Sequence, residues 1–196
     1  MRMNQIPPSG ILYSWALVWH HSSCYGLDNM IHTIKINKHR AWPPAIGLFF
    51  SKRMERIVQF DITAKYDLPG TADDLDVNKL FGFGFFPHHH QESARFGWTW
   101  NNETSKVVLW AYCYVNGERK ICWICEVPTY LRVHCSIDII GDVYSFTVTD
   151  AINRYQVHGG IDISFEHNKK FGYKLGCFFG GNNTAPHDIT IKISKK

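Results

Sequence analysis

Three adjacent imidazoles, His88, His89 and His90, follow Pro87, and Arg95 stands five residues beyond the last of them. Imidazoles in a loop can supply a base near neutral pH or one or two metal ligands, and a guanidinium can neutralise a carboxylate. The plainer reading is a solvated loop, and the functional one is the edge of a groove flanked by aromatic strands. Downstream, Trp110, Tyr112 and Tyr114 alternate along one segment and Trp123 follows in the next. An aromatic floor with phenolic hydroxyls and one guanidinium suits a sugar ring, by stacking and by hydrogen bonding. The same spacing also describes a second buried layer beneath loops or an N-terminal arm, so both readings stay open.

Other chemistry-bearing residues have structural explanations. Cys122 and Cys125 form a CxxC, but within a strand residues three apart point to opposite faces and cannot ligate one ion. No second CxxC or His pair stands at finger spacing, so neither a metal nor a cofactor is expected. His187-Asp188 follows Ala185-Pro186 and a Gly-Gly-Asn-Asn turn, and reads as a loop whose side chains satisfy backbone amides before the last strand. Asn102 and Asn182 open matches to the glycosylation acceptor pattern. No phosphate-binding glycine loop, nucleophile elbow or dinucleotide fingerprint is present.

These residues must be positioned by strands. Leu131, Val133, Cys135, Ile137 and Ile139 alternate with Arg132, His134, Ser136 and Asp138, which marks a half-buried strand. A two-residue turn at Gly141-Asp142 sets Ile140 opposite Val143, Ile137 opposite Phe146 and His134 opposite Thr149. Apolar then meets apolar and polar meets polar, the consistency a hairpin requires. Phe96, Trp98 and Trp100 alternate likewise; a symmetric loop pairs Trp98 with Leu109, Gly97 with Trp110, and Arg95 with Tyr112. Asn116-Gly117 makes the next turn, setting Tyr114 opposite Arg119, Tyr112 opposite Ile121 and Trp110 opposite Trp123. Further strand-like runs cover 31–37, 46–50, 57–62, 80–86, 161–165, 173–179 and 189–193, with a loop or short turn at 70–76. Eleven to thirteen short strands without helical periodicity imply an all-β, two-sheet antiparallel sandwich of the jelly-roll kind.

Composition agrees. The chain has 196 residues, 45% hydrophobic and 19% charged, with 15 glycines and 8 prolines. That is enough apolar material for one core and too little regularity for a bundle or coiled coil. A net charge of +4 without a basic cluster argues against nucleic acid as a partner. The six cysteines sit mostly in apolar runs, where free thiols behave as small hydrophobes. Residues 11–19 follow Arg2 but are too short to span a bilayer and lack a small-x-small cleavage site. They read as part of an arm, 1–30, packed on a sandwich domain, 31–196. No membrane contact is expected, and synthesis is expected in the cytoplasm with a virion or extracellular destination left open.

The run Gly172-Tyr173-Lys174-Leu175-Gly176-Cys177-Phe178 resembles the late-strand signature Tyr-Phe-Lys-Ala-Gly-x-Tyr of alginate-lyase-type polysaccharide lyases, which share the concanavalin-like jelly roll. Lys174 and Gly176 match, whereas Gly172 occupies the position of the family's catalytic tyrosine and no Gln-x-His strand is found. Glu92-Ser93-Ala94-Arg95 loosely resembles the family's arginine-bearing strand. The resemblance implies the fold and a glycan context. For β-elimination it would cast Arg95 as the neutralising cation, one of His88, His89, His90 or His134 as base, and Tyr112 or Tyr114 as acid. The missing tyrosine favours non-catalytic polysaccharide recognition through Arg95, Trp110, Tyr112, Tyr114, Trp123 and Lys174. The alternatives are a lyase acting on an acidic glycan and a structural module, such as a self-assembling virion decoration or fibre domain.

Overall fold

The computed structural model describes residues 29–67, 76–153, 156–165 and 171–195. The expected arm lies almost wholly outside them, as do Cys24 and most of the loop at 70–76. Thirteen strands and one 3-10 turn, Ile62–Ala64, make up the described residues, and none of their helices is long and apolar enough to cross a membrane.

In chain order the strands are β1 (Asn29–Ile34), β2 (Ala41–Trp42), β3 (Leu48–Phe49), β4 (Arg53–Phe60), β5 (Asn78–Phe85), β6 (Ser93–Asn101), β7 (Lys106–Val115), β8 (Glu118–Val127), β9 (Arg132–Ile140), β10 (Val143–Asp150), β11 (Val157–Ser164), β12 (Gly172–Leu175) and β13 (Ile189–Ser194). They form an antiparallel β-sandwich. One sheet has seven strands in the order β11-β10-β9-β4-β13-β1-β2, and the other has six in the order β3-β12-β5-β6-β7-β8.

The inward faces meet in an aromatic core. Phe83, Phe96 and Trp98 from the six-stranded sheet pack against Phe60, Tyr144 and Phe146 from the other, all essentially without solvent exposure. Alternation selects these residues: Phe81, Phe83 and Phe85 point inward while Gly82 and Gly84 occupy the outward positions between them. Glu92 ties the layers together, because its buried Oε1 accepts a 2.8 Å hydrogen bond from the Tyr144 hydroxyl.

The three hairpin registers expected from the turns are the observed ones. Ile140 pairs with Val143 and the ladder continues unbroken to Val133 and Asp150. Arg95 lies opposite Tyr112, Gly97 opposite Trp110, Tyr114 opposite Arg119 and Trp110 opposite Trp123. Beyond Trp123 the β7–β8 ladder shifts by one residue, so Leu109 meets Cys125 while Ala111 meets Cys122. This corrects the parity expected of the CxxC: the bulge brings both cysteines to the core side, Cys125 buried and Cys122 partly so. Burial then holds the Cys125 thiol up at about 11, in its protonated form. Among the described residues, no three His, Cys, Asp or Glu side chains gather closely enough to hold a metal ion.

Candidate functional site

The outward face of the six-stranded sheet collects most of the candidate residues. Alternation in β6, β7, β8 and β12 sets up two cross-strand rows. The first runs Leu175, Gly82, Arg95, Tyr112, Ile121; the second runs Tyr173, Gly84, Ser93, Tyr114, Arg119. Beside the first row lie Lys79, Gly97, Trp110 and Trp123.

Arg95 is the centre of this arrangement. It lies across Gly82, where an added Cβ would stand 2.6 Å from the Arg95 Cα and would meet the Ala94 carbonyl. Only glycine there lets the guanidinium's stem lie on bare backbone. Arg95 is 8% exposed; one terminal nitrogen donates a 2.8 Å hydrogen bond to the Gly176 carbonyl, and its buried Nε–H meets no acceptor among the described residues. Among the described residues no carboxylate pairs with it. Burial is the main reason its pKa falls to about 10, partly offset by Tyr112, Cys177, Tyr114 and Tyr173.

The rings pack around that cation. Tyr112 and Tyr114 have centroids 5.9 Å apart. Burial, then its hydrogen bond with Tyr114, pushes the Tyr112 phenol up to about 12, against the pull of Arg119, which donates to it. The Lys79 ammonium sits 4.9 Å above the Tyr112 ring, donates to the Gly180 carbonyl at 3.0 Å and lies 3.4 Å from Asp76. Trp110 is half-buried, and its Nε1–H donates to Thr99 Oγ1 at 2.9 Å. Trp123 is 57% exposed.

The histidine loop closes one end. Gly84 leaves room for it, since a Cβ there would stand 2.6 Å from the His89 Cβ. His89 Nδ1 is 3.2 Å from the Tyr173 hydroxyl, and His90 packs on Tyr114 with centroids 5.1 Å apart. Burial first, then Arg95 and the neighbouring imidazoles, lower the His89 pKa to about 4, so it is neutral at pH 7. His88 and His90 are exposed.

The structure therefore brings Arg95, Trp110, Tyr112, Tyr114, Trp123, His89 and His90 to one face, with His88 in the same loop. Two candidates fall elsewhere. His134 points outward from β9 in the other sheet, where its Nε2 lies 2.8 Å from Glu55 Oε2; the sandwich separates it from Arg95, so it cannot serve as a base there. Lys174 lies opposite Phe83, on the inward side of β12, because strand parity gives the outward side to Tyr173 and Leu175. The floor is also more enclosed than a ligand-binding trough would be. Arg95 and Tyr112 are buried, and exposure is concentrated at the rim, in Trp123, Arg119, His88 and His90. Tyr173 and Lys79 join the face without having been expected, and Arg119, expected opposite Tyr114 but not as a site residue, joins them. Tyr173 was signalled by its alternation with Lys174.

No family model matches the chain, and no curated protein matches its sequence. Among solved structures, an alginate lyase from a Chlorella virus is similar at 12% identity with a TM-score of 0.45, over 84% of this chain and 81% of that one. The CBM2 module of the evolved Dit of Lactobacillus casei phage J-1 is similar at 12% identity and a TM-score of 0.42, over 85% of this chain and 69% of that one. The enzymatically active domain of a tailspike protein of bacteriophage CBA120 is similar at 8% identity and a TM-score of 0.40, over 85% of this chain and 28% of that one.

Proposed function

We propose that the outward face of the six-stranded sheet recognises an acidic polysaccharide. The observation that carries this reading is Arg95: a buried guanidinium with an unanswered N–H, ringed by three tyrosines and lacking a carboxylate among the described residues. A uronate carboxylate would supply the missing counter-charge, and the indoles of Trp110 and Trp123 would stack against sugar rings along the rim. The test is affinity electrophoresis through gels containing alginate, polygalacturonate or neutral dextran. Retardation is expected in the acidic gels only, weakened at least tenfold by Arg95→Gln. Equal retardation in dextran, or an unchanged mobility shift in the variant, would remove the proposal.

A second reading, β-elimination, is favoured by one specific contact, the approach of His89 Nδ1 to the Tyr173 hydroxyl beside Arg95. His89 is neutral at pH 7 and able to accept the proton alpha to the carboxylate. Tyr112 stays protonated and able to donate to the leaving oxygen, and Arg95 would stabilise the developing enolate. Unsaturated uronate products absorb in the ultraviolet. A rise in absorbance with wild type that disappears in His89→Gln would select this reading, and no rise on any acidic glycan would eliminate it.

A further inference from the structure

Three strands place a basic side chain where alternation calls for an apolar one. In β4, Arg56 shares the inward face with Met54, Val58 and Phe60. In β12, Lys174 stands beside the fully buried Phe83. In β1, His32 lies opposite the fully buried Ile191. The first and last of these strands belong to one sheet and β12 to the other, yet all three side chains line a single cleft between the sheets, of about 210 Å³. Inward cations are costly without counter-charges, and a chain that converges them from separate elements has departed from its own pattern at one place.

Lys195 adds a further cation to the lining, and no Asp or Glu among the described residues lines the cleft to supply a counter-charge. Arg56 donates to the Glu55 backbone carbonyl at 2.6 Å, while the Glu55 carboxylate lies on the far face of the sheet with Arg53 and His134. Neither Arg56 nor Lys174 makes an ion pair among the described residues. His32 donates from Nδ1 toward the Pro43 carbonyl at 2.9 Å; burial first, and Arg56 with it, lower its pKa against the opposing pull of that carbonyl. The rest of the lining is apolar, chiefly Met30, Ile46 and Ile193, and a narrow extension of about 50 Å³ reaches Met54, Leu80 and Phe81. Met30 and Ile46, both exposed, stand at the mouth, and Arg56, Lys174 and His32 lie where the cleft narrows into the apolar extension.

We propose that this inter-sheet cleft binds a small amphiphilic carboxylate, with its head held by Arg56 and Lys174 and its alkyl tail reaching past Ile193 into the inner extension beside Met54, Leu80 and Phe81. A guanidinium fork and one ammonium match the two oxygens of a carboxylate, and the narrow inner extension accommodates a chain better than a ring. Leu175 and Gly176 border both sites, but the site shares no charged or aromatic side chain with the ring-lined face, so either can fail while the other stands.

The experiment is a titration of isotopically labelled protein with hexanoate, followed by amide and methyl NMR shifts. Shifts are expected at Met30, His32, Lys174 and Ile193. Acetate should bind at least tenfold more weakly, given roughly fourfold per methylene buried. Hexanamide, which has the tail without the charge, should also lose at least tenfold. Arg56→Gln and Lys174→Gln should each weaken hexanoate at least tenfold, while Arg53→Gln on the outer surface leaves it unchanged. If Arg56→Gln loses its dispersed spectrum, Lys174→Gln decides. Hexanamide binding as tightly as hexanoate, inorganic phosphate binding more tightly than either, or shifts indifferent to both variants would overturn the proposal.

Discussion

The two outward faces of the sandwich handle charge in opposite ways. On the seven-stranded sheet, Arg53 lies 3.2 Å from Glu55 and 3.5 Å from Asp138, and Glu55 also meets His134 at 2.8 Å. Donors and acceptors there answer one another across β4 and β9, which leaves that part of the surface little to offer a partner. On the six-stranded sheet, Arg95 has a backbone carbonyl and a circle of phenols but no anion among the described residues. A face that satisfies itself is held for stability, whereas a face with a desolvated, half-answered cation gains most when a ligand arrives.

The strongest way to break that contrast is to disturb the strand that Arg95 crosses. Gly82→Ala drives a methyl group into the Ala94 carbonyl and the Arg95 stem, so overpacking should cost about 2–3 kcal/mol, read as a lower urea midpoint with an unchanged slope. A normal midpoint would mean that the stem is free to move and that the floor is not held in place. Next in size is the self-satisfied face. Glu55→Gln removes the charge that faces both Arg53 and His134, while Arg53 keeps Asp138, and losing half-buried pairs of this kind should cost about 1 kcal/mol. Polysaccharide retardation should not change; if it does, the two faces are not independent.

Much of this architecture was legible because short turns fix strand parity. Gly141-Asp142 and Asn116-Gly117 determine which side chains share a face, and with them the grouping of Arg95, Trp110, Tyr112 and Tyr114. The bulge near Ile124 was not legible, since an unbroken apolar run from Ile121 to Cys125 hides the change of parity that brings both cysteines inward. His134 read as outward, and it is. Its sheet depends on the pairing of β9 with β4, a contact between segments far apart in sequence that no local pattern announces. The burial of Arg95 and Tyr112 is likewise a product of packing between distant segments, as is the meeting of His89 with Tyr173.

Acid sharpens the comparison further. His89 titrates at about 4 in the folded protein, below the ordinary imidazole value of 6.5. The unfolded chain therefore binds the proton more readily. The neutral ring's contribution is complete above pH 6.5 and is lost as the pH falls toward 4. His32, also held down by burial, acts in the same direction from the inter-sheet cleft. His89→Gln should therefore flatten part of the decline in Tm between pH 6.5 and 4, with His32's share remaining. An acid limb as steep as that of wild type would place His89 in solvent rather than against Arg95.

The smallest expected effect on folding is at Trp123, and its smallness is what makes it useful. Its indole is 57% exposed and stands across from Trp110 at the rim, so more of it stays in water than the fold covers. Trp123→Ala should change stability by no more than about 0.5 kcal/mol, the range of surface substitutions that touch no special feature. If the ring is kept at the rim to meet sugar, the same variant should lose about 0.5–1.5 kcal/mol of glycan binding, the worth of one aromatic stacking contact. Retention on alginate gels against urea midpoint separates the two quantities in one protein. A variant that loses stability but keeps its retention would reverse the assignment, making Trp123 part of the scaffold and leaving the polysaccharide to the histidine end of the face.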